Sequence, residues 1–259
     1  MKFSFQPKRW LPFFILDSVF FLAAIALLYN NLNDILGFFL AATTSPAAVV
    51  PLIGYALILL AGFVVWAFIR LWINGAVIHQ STKPKEFGQS WGVAKNRYLS
   101  MFAVTLVTGI ISGVVGMAPY IGWLLSIIIG LMFFFVLPAV VAKKLSFDNA
   151  LRDSYHIFRQ KILAVFLIWI VTSLISLLIT FIFMIPCIML VWNAIMPFLF
   201  QASSAGMASL IVVSMMQNIW MLALCVEVFL IGLAVSNTFV LKAQTDFYLH
   251  FKKKKFGLF

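Results

Sequence analysis

The segment Ser100–Val141, SMFAVTLVTGIISGVVGMAPYIGWLLSIIIGLMFFFVLPAVV, decides the fold. It consists of two apolar runs joined by the short breaker Ala118-Pro119-Tyr120. Lys95 and Arg97 precede it, Lys143 and Lys144 follow it, and no charge lies between. Each run is about 20 residues, the length that crosses a hydrocarbon core of roughly 30 Å at about 1.5 Å per helical residue. A tight turn returns the chain to the side it left, so the segment reads as a transmembrane helical hairpin. Basic residues at both feet predict that this side is the cytoplasm, where Lys and Arg are retained during insertion.

Working outward, the chain repeats the pattern. A first span is expected from about Trp10 to Tyr29 and a second from about Pro51 to Ile73. A fifth runs from Ile162 to about Val191, and a sixth starts within Leu210–Gln217 and ends near Phe239. The stretch Ile35–Val50, interrupted by Thr43, Thr44, Ser45 and Pro46, reads as a surface or shallow re-entrant segment. Asn193–Ser209 reads as an outer loop, Asn74–Asn96 and Lys143–Lys161 as basic loops, and Lys242–Phe259 as a basic, aromatic tail. The apolar run after Lys2, Lys8 and Arg9 is longer than a signal-peptide core, and Ala24-Ile25-Ala26 falls inside it, so it is expected to be a retained first helix.

All 18 Lys and Arg lie at the N-terminus, at the end of the second span, in the two basic loops or in the tail. Six spans keep them on one side; an odd number would put the tail's lysines opposite. The expected fold is all-α and polytopic: six transmembrane helices arranged as three outward hairpins, with short interfacial amphipathic helices on the cytoplasmic side. The hairpin repeats cover approximately residues 1–80, 81–142 and 143–241. The expected location is the plasma membrane, with both termini cytoplasmic.

Composition agrees. Of 259 residues 64% are hydrophobic and 10% charged, with 28 Phe and 8 Trp, whereas a soluble domain is about half apolar and a quarter charged. The net charge of +11 sits in short segments between apolar runs, not on a soluble basic module, so nucleic acid is not an expected partner. Cys187 and Cys225 form no CxxC pattern, and His79, His156 and His250 are scattered among basic segments. No metal or cofactor is therefore expected. GxSxG, Walker A and HExxH patterns are all absent, and an enzyme is not expected.

An internal repeat appears at an offset of 60. Phe87, Trp91, Ala94 and Tyr98 align with Phe147, Leu151, Ser154 and Phe158. Both sets recur at helical spacing opposite a polar face, the pattern of an amphipathic interfacial helix. Phe3, Phe5 and Trp10, with Lys8 and Arg9, read as a degenerate first copy. The run Phe135-Val136-Leu137-Pro138-Ala139-Val140-Val141 leads through a basic linker into Phe147-Asp148-Asn149-Ala150-Leu151-Arg152-Asp153-Ser154. This resembles a broad prokaryotic group of six-helix membrane proteins in which a proline-bearing helix end precedes an x-x-F-x-x-A-L-x-x-S helix. The group includes the membrane domain attached to some glycerophosphoryl diester phosphodiesterases. The resemblance covers roughly residues 87–180 and implies the architecture. It carries over no catalytic residue, because the chain has no phosphodiesterase domain.

Intramembrane charge is the first place to seek function, since an ionised side chain at mid-helix costs about 2.5–3.5 kcal/mol on insertion scales. Asp17 and Arg70 lie on the cytoplasmic halves of the first two spans and could pair. Glu227 lies about 15 residues before Lys242, at a depth where the sequence offers no Lys or Arg. It is either uncharged, hydrogen-bonded to residues such as Asn218, Gln217, Ser112, Thr172 or Ser173, or placed in a wet cavity. Asn237 shares its helical stripe. Gly109, Gly113 and Gly116 are expected to bring helices together within the monomer. Lys252, Lys253, Lys254 and Lys255, interleaved with aromatics, are expected to contact anionic lipids at the cytoplasmic face. Two functions fit: a non-enzymatic scaffold or accessory subunit contacting lipid or a protein partner, or a permease with a polar site around Glu227.

Overall fold

The computed structural model describes residues 3–31, 49–199 and 219–253. Among these residues the chain forms helices α1 (Pro7–Asn30), α2 (Val49–Thr82), α3 (Phe87–Gly116), α4 (Gly122–Met132), α5 (Val136–Ala142), α6 (Phe147–Gln160), α7 (Ile162–Leu199) and α8 (Ile219–Lys253), and no strand. Six helical segments are long and apolar enough to cross a membrane: α1, α2, α3, α4 with α5, α7 and α8. The protein is an all-α, polytopic membrane protein. The expected re-entrant stretch and most of the outer loop after Asn193 lie outside the described residues.

Several helices run past the boundaries read from the sequence. α2 continues to Thr82, leaving a short connection where a loop from Asn74 is expected. Polar residues in this stretch find partners without leaving the helix: Gln80 Nε2 donates to Ser90 Oγ at 2.9 Å, and Ser81 Oγ donates to the Val77 carbonyl at 2.9 Å. Ile73, Ala76, Val77 and Ile78 meanwhile stay buried along the same turns. The expected interfacial helix beginning at Phe87 is not separate but is the first part of α3. At the N-terminus, residues 3–5 form a turn and α1 starts at Pro7, whose missing N–H costs nothing at the first helical position. α7 extends through Pro197 to Leu199, and α8 carries the expected tail as helix to Lys253.

α6 does stand alone as the amphipathic element. Its buried face is Ala150, Ser154 and Ile157, so the aromatic Phe147 is a flank and not part of the inward stripe. The repeat at 60 residues holds in burial, since Ser90 and Ala94 of α3 match Ala150 and Ser154. Lys161 then leaves helical geometry (φ −138°, ψ 41°), separating the charged α6 from the apolar α7.

The fourth span is broken between α4 and α5. Pro138 has no N–H for the carbonyl of Phe134, and its ring crowds that carbonyl. Phe133 and Phe135 accordingly adopt φ −104°, ψ 13° and φ −102°, ψ 7°. Ser154 closes the gap from α6: its Oγ donates to the Met132 carbonyl at 2.8 Å and accepts from the Phe135 N–H at 3.2 Å. The serine ending the motif thus bonds two backbone groups of the break, though not the Phe134 carbonyl itself. Ser154→Ala is expected to leave the buried Phe135 N–H and the half-buried Met132 carbonyl without this partner, lowering stability by about 1–3 kcal/mol. Thermal unfolding in detergent measures it, and an unchanged midpoint contradicts the clamp.

Two compact units divide the chain. The first comprises Met1–Trp10, Ile69–Leu178 and Val235–Phe259; the second comprises Leu11–Phe68 and Ile179–Ala234. Every Lys and Arg of the sequence falls in the first. Within it α3 and α4 form the central hairpin through a turn in which Tyr120 takes a left-handed φ of 66° and Ile121 N–H bonds the Pro119 carbonyl at 2.8 Å. The close approach lies just beside this turn. A Cβ on Gly122 would stand 2.4 Å from the Gly116 carbonyl oxygen, and one on Gly116 would stand 3.0 Å from Ser126 Oγ. Gly109 and Gly113 do not pack as expected, because a Cβ on either meets nothing within 4 Å. α3 turns Met101, Val104, Thr108 and Ser112 inward instead, and these two glycines sit off that face.

Candidate functional site

The second unit holds the intramembrane carboxylates. Asp17 and Ser18 are neighbours on α1, so their side chains point about 100° apart and meet different helices. Asp17, fully buried, accepts a 2.7 Å hydrogen bond from Trp66 Nε1 on α2. Ser18 Oγ donates to Glu227 Oε2 on α8 at 2.6 Å. The two bonds make α1 the middle member of a polar clasp. Phe20 packs beside it against Phe63 and Trp66, with Gly62 leaving room for the Phe20 ring at 3.5 Å. Glu227 Oε1 is sealed from solvent and has no hydrogen-bond partner among the described residues.

This placement differs from the sequence expectation in two respects. The partner of Glu227 is Ser18, which no local pattern marks, and Asn218 lies outside the described residues. Asp17 belongs to the second unit and Arg70 to the first; neither is without a partner. Asn237 lies further along α8, half-buried, its Nδ2 without a hydrogen bond among the described residues.

The two cysteines of the chain also meet in this unit. Cys187 Sγ on α7 donates to the Cys225 carbonyl on α8 at 3.1 Å. Seven residues further along α8, Gly232 gives way to Phe183, whose Cβ would stand 2.5 Å from an added methyl. The sequence reading found no thiol chemistry because the residues are 38 apart. Oxidation with copper phenanthroline is expected to join Cys187 and Cys225 within one chain, read as a peptide pair by mass spectrometry of the unreduced digest. Cross-links only between chains would contradict this packing of α7 on α8.

The first unit gathers the charged residues around Asp153 of α6, which the sequence reading did not single out. Its Oδ2 accepts from Tyr248 Oη at 2.7 Å and its Oδ1 from Lys252 Nζ. Tyr248 is fully buried, and its ring lies 6.2 Å from that of Phe135 in the α4–α5 break. Lys252, one of the lysines expected at the lipid surface, is thus paired with a carboxylate and stays partly exposed. It is turned back to Asp153 by the helical continuation of α8, while Lys254 and Lys255 lie outside the described residues. Nearby, Arg9 covers the Phe3 ring at 3.3 Å and Lys242 approaches the same ring at 5.3 Å. Lys242 also donates to the Ser81 carbonyl at 3.3 Å. These contacts tie the N-terminal turn to the ends of α2 and α8 within the unit.

A protein-family model matches residues 13–127. It describes a domain of unknown function, DUF7847. The matched stretch runs from α1 into α4 and covers less than half of the chain. It includes Asp17, Ser18 and Trp66 but neither Glu227 nor the Asp153 cluster. No curated protein and no solved structure matches the chain.

Proposed function

We propose that this protein is a non-enzymatic scaffold or accessory subunit of the plasma membrane. In this reading both termini face the cytoplasm, and the basic end contacts anionic lipid headgroups and a membrane or cytoplasmic protein partner. The observation that carries it is the state of Glu227. Ser18 caps one carboxyl oxygen, and the other is closed off from solvent. A carboxyl with one oxygen bonded across helices and the other enclosed serves helix association better than it serves solute passage. The orientation draws on the segregation of every Lys and Arg into one unit. The reading also draws on the resemblance to the six-helix prokaryotic group, which carries no catalytic residue to this chain.

A second reading, a permease, draws on one feature of the first unit. A cavity of about 260 Å³ borders the α4–α5 break, with Thr105, Thr108 and Gln244 as its polar lining. Irregular backbone beside a cavity is how many transporters form binding sites. Glu227 does not line it.

Glu227→Leu tests the scaffold reading. A scaffold is expected to keep its fold and its thermal midpoint within a few degrees, and to co-purify from native membranes with the same stoichiometric partner as the unmodified chain. Solute uptake into proteoliposomes that Glu227→Leu abolishes, with the fold intact, would overturn the scaffold reading.

A further inference from the structure

At the junction of α6 and α7 the first unit contains a small cavity of about 30 Å³, lined by His156, Ile157, Gln160, Lys161, Phe251 and Lys252. That volume admits two water-sized atoms, such as the two free oxygens of a phosphodiester whose remainder stays outside. Lys161 sits where α6 gives way to the span beginning at Ile162, and Lys252 sits at the end of the span formed by α8. Two helices long and apolar enough to cross a membrane therefore have an end at this cavity, in the unit that carries all the Lys and Arg.

The walls are fixed before any ligand arrives. Lys161 Nζ is held 4.8 Å over the Phe251 ring, and Phe251 packs edge-on against Phe135 at 5.8 Å. Lys252 is oriented by Asp153, whose other oxygen is occupied by Tyr248. Asp153 thus spends both oxygens on groups that build the wall, and Lys161 meets no carboxylate among the described residues. Two ammonium groups and the Gln160 amide surround a space suited to an anionic oxygen pair, above an apolar floor of Ile157 and Phe251. Lysine is a compact, strongly hydrated cation that binds phosphate as a point charge.

We propose that this cavity is a phosphate-recognition site that seats the headgroup phosphate of an anionic phospholipid through Lys161, with Lys252 and Gln160 as supporting donors. The proposal rests on the reading that the basic end lies against anionic lipid, and narrows it from a diffuse surface to one seat.

The test uses the full-length protein in nanodiscs of equimolar phosphatidylglycerol and phosphatidylcholine, with retained lipid counted by native mass spectrometry after gentle release. A parallel titration in neutral detergent uses inorganic phosphate. Lys161→Gln is expected to weaken phosphatidylglycerol retention about fivefold, the factor corresponding to about 1 kcal/mol per interfacial lysine. Lys161→Arg is expected to restore it, and Lys85→Gln, in the α2–α3 connection, to weaken it clearly less than Lys161→Gln does. Comparable thermal midpoints in all variants exclude misfolding as the cause. Binding of inorganic phosphate that depends on Lys161, without lipid retention, would support the same site with a soluble phosphate as its source. Preference for phosphatidylglycerol that Lys161→Gln leaves intact would overturn the seat while sparing the wider lipid reading. No preference for either lipid, and no phosphate binding, would overturn both.

Discussion

Asp153→Ala is expected to lower the stability of the protein by about 3 kcal/mol, the range found when one partner of a buried ion pair is removed. Two groups lose their acceptor at once. Tyr248 is fully buried, and Lys252 is left beside Lys161 without its carboxylate. The Asp153 and Lys252 side chains are 14% and 26% exposed, which limits rescue by solvent. Tyr248→Phe, which removes one hydrogen bond and keeps the ring, is expected to cost about 1 kcal/mol. Lys252→Met in the Asp153→Ala background should recover part of the loss, because no unpaired charge then remains. Thermal unfolding in detergent checks the series. Equal midpoints for Asp153→Ala and the unmodified chain would remove the cluster from the account.

Gly122→Ala is expected to be comparably damaging, by about 3 kcal/mol or the upper range for overpacking. The obstacle is backbone and cannot swing aside: the Gly116 carbonyl oxygen lies 2.4 Å and the Val115 oxygen 3.0 Å from the new methyl. Gly75→Ala is a useful contrast. Its nearest atoms belong to the thioether end of Met101, at 2.6 and 2.8 Å, and a flexible side chain can yield. Gly109→Ala and Gly113→Ala are expected to change sign. With open space around each, they exchange a poor helix former for the best one, a gain of about 1 kcal/mol in a helix interior. Loss of stability at Gly109 or Gly113 equal to that at Gly122 would contradict the packing of α3 described above.

The glycine series shows what the sequence can and cannot express. GxxxG spacing records that two glycines share a helix face, but not whether a second helix lies against that face. The inward face of α3 is set instead by Met101, Val104, Thr108 and Ser112. The six crossings were legible because twenty-residue apolar runs and the distribution of Lys and Arg are strong, local signals. Helix ends were less so. Polar residues such as Gln80 and Ser81 look like loop until a neighbour supplies their hydrogen bonds, and the Lys242–Lys253 stretch looks like a tail until Tyr248 is seen inside.

Long-range partners carry the least signal. Glu227 was conspicuous in the sequence because a carboxyl in an apolar run is costly, yet its partner lies 209 residues away on α1 and is one serine among many. Cys187 and Cys225 meet for the same reason without a motif. Pro138 and Ser154 were visible only as two ends of a resemblance, a proline-bearing helix end and the last residue of the next helix's motif. Only the coordinates join them, as a break and the hydroxyl that closes it.

The central claim is that the Glu227 carboxyl joins α1 to α8 through Ser18 and lines no water-filled path. Cysteine accessibility tests it most directly. In a chain carrying Cys187→Ser and Cys225→Ser, Glu227→Cys is exposed to a membrane-impermeant maleimide from each face of sealed vesicles, with Tyr120→Cys in the 96%-exposed turn as the reactive control. The account predicts labelling at 120 and none at 227. Rapid labelling at 227 from either face, slowed by a small solute, would contradict it.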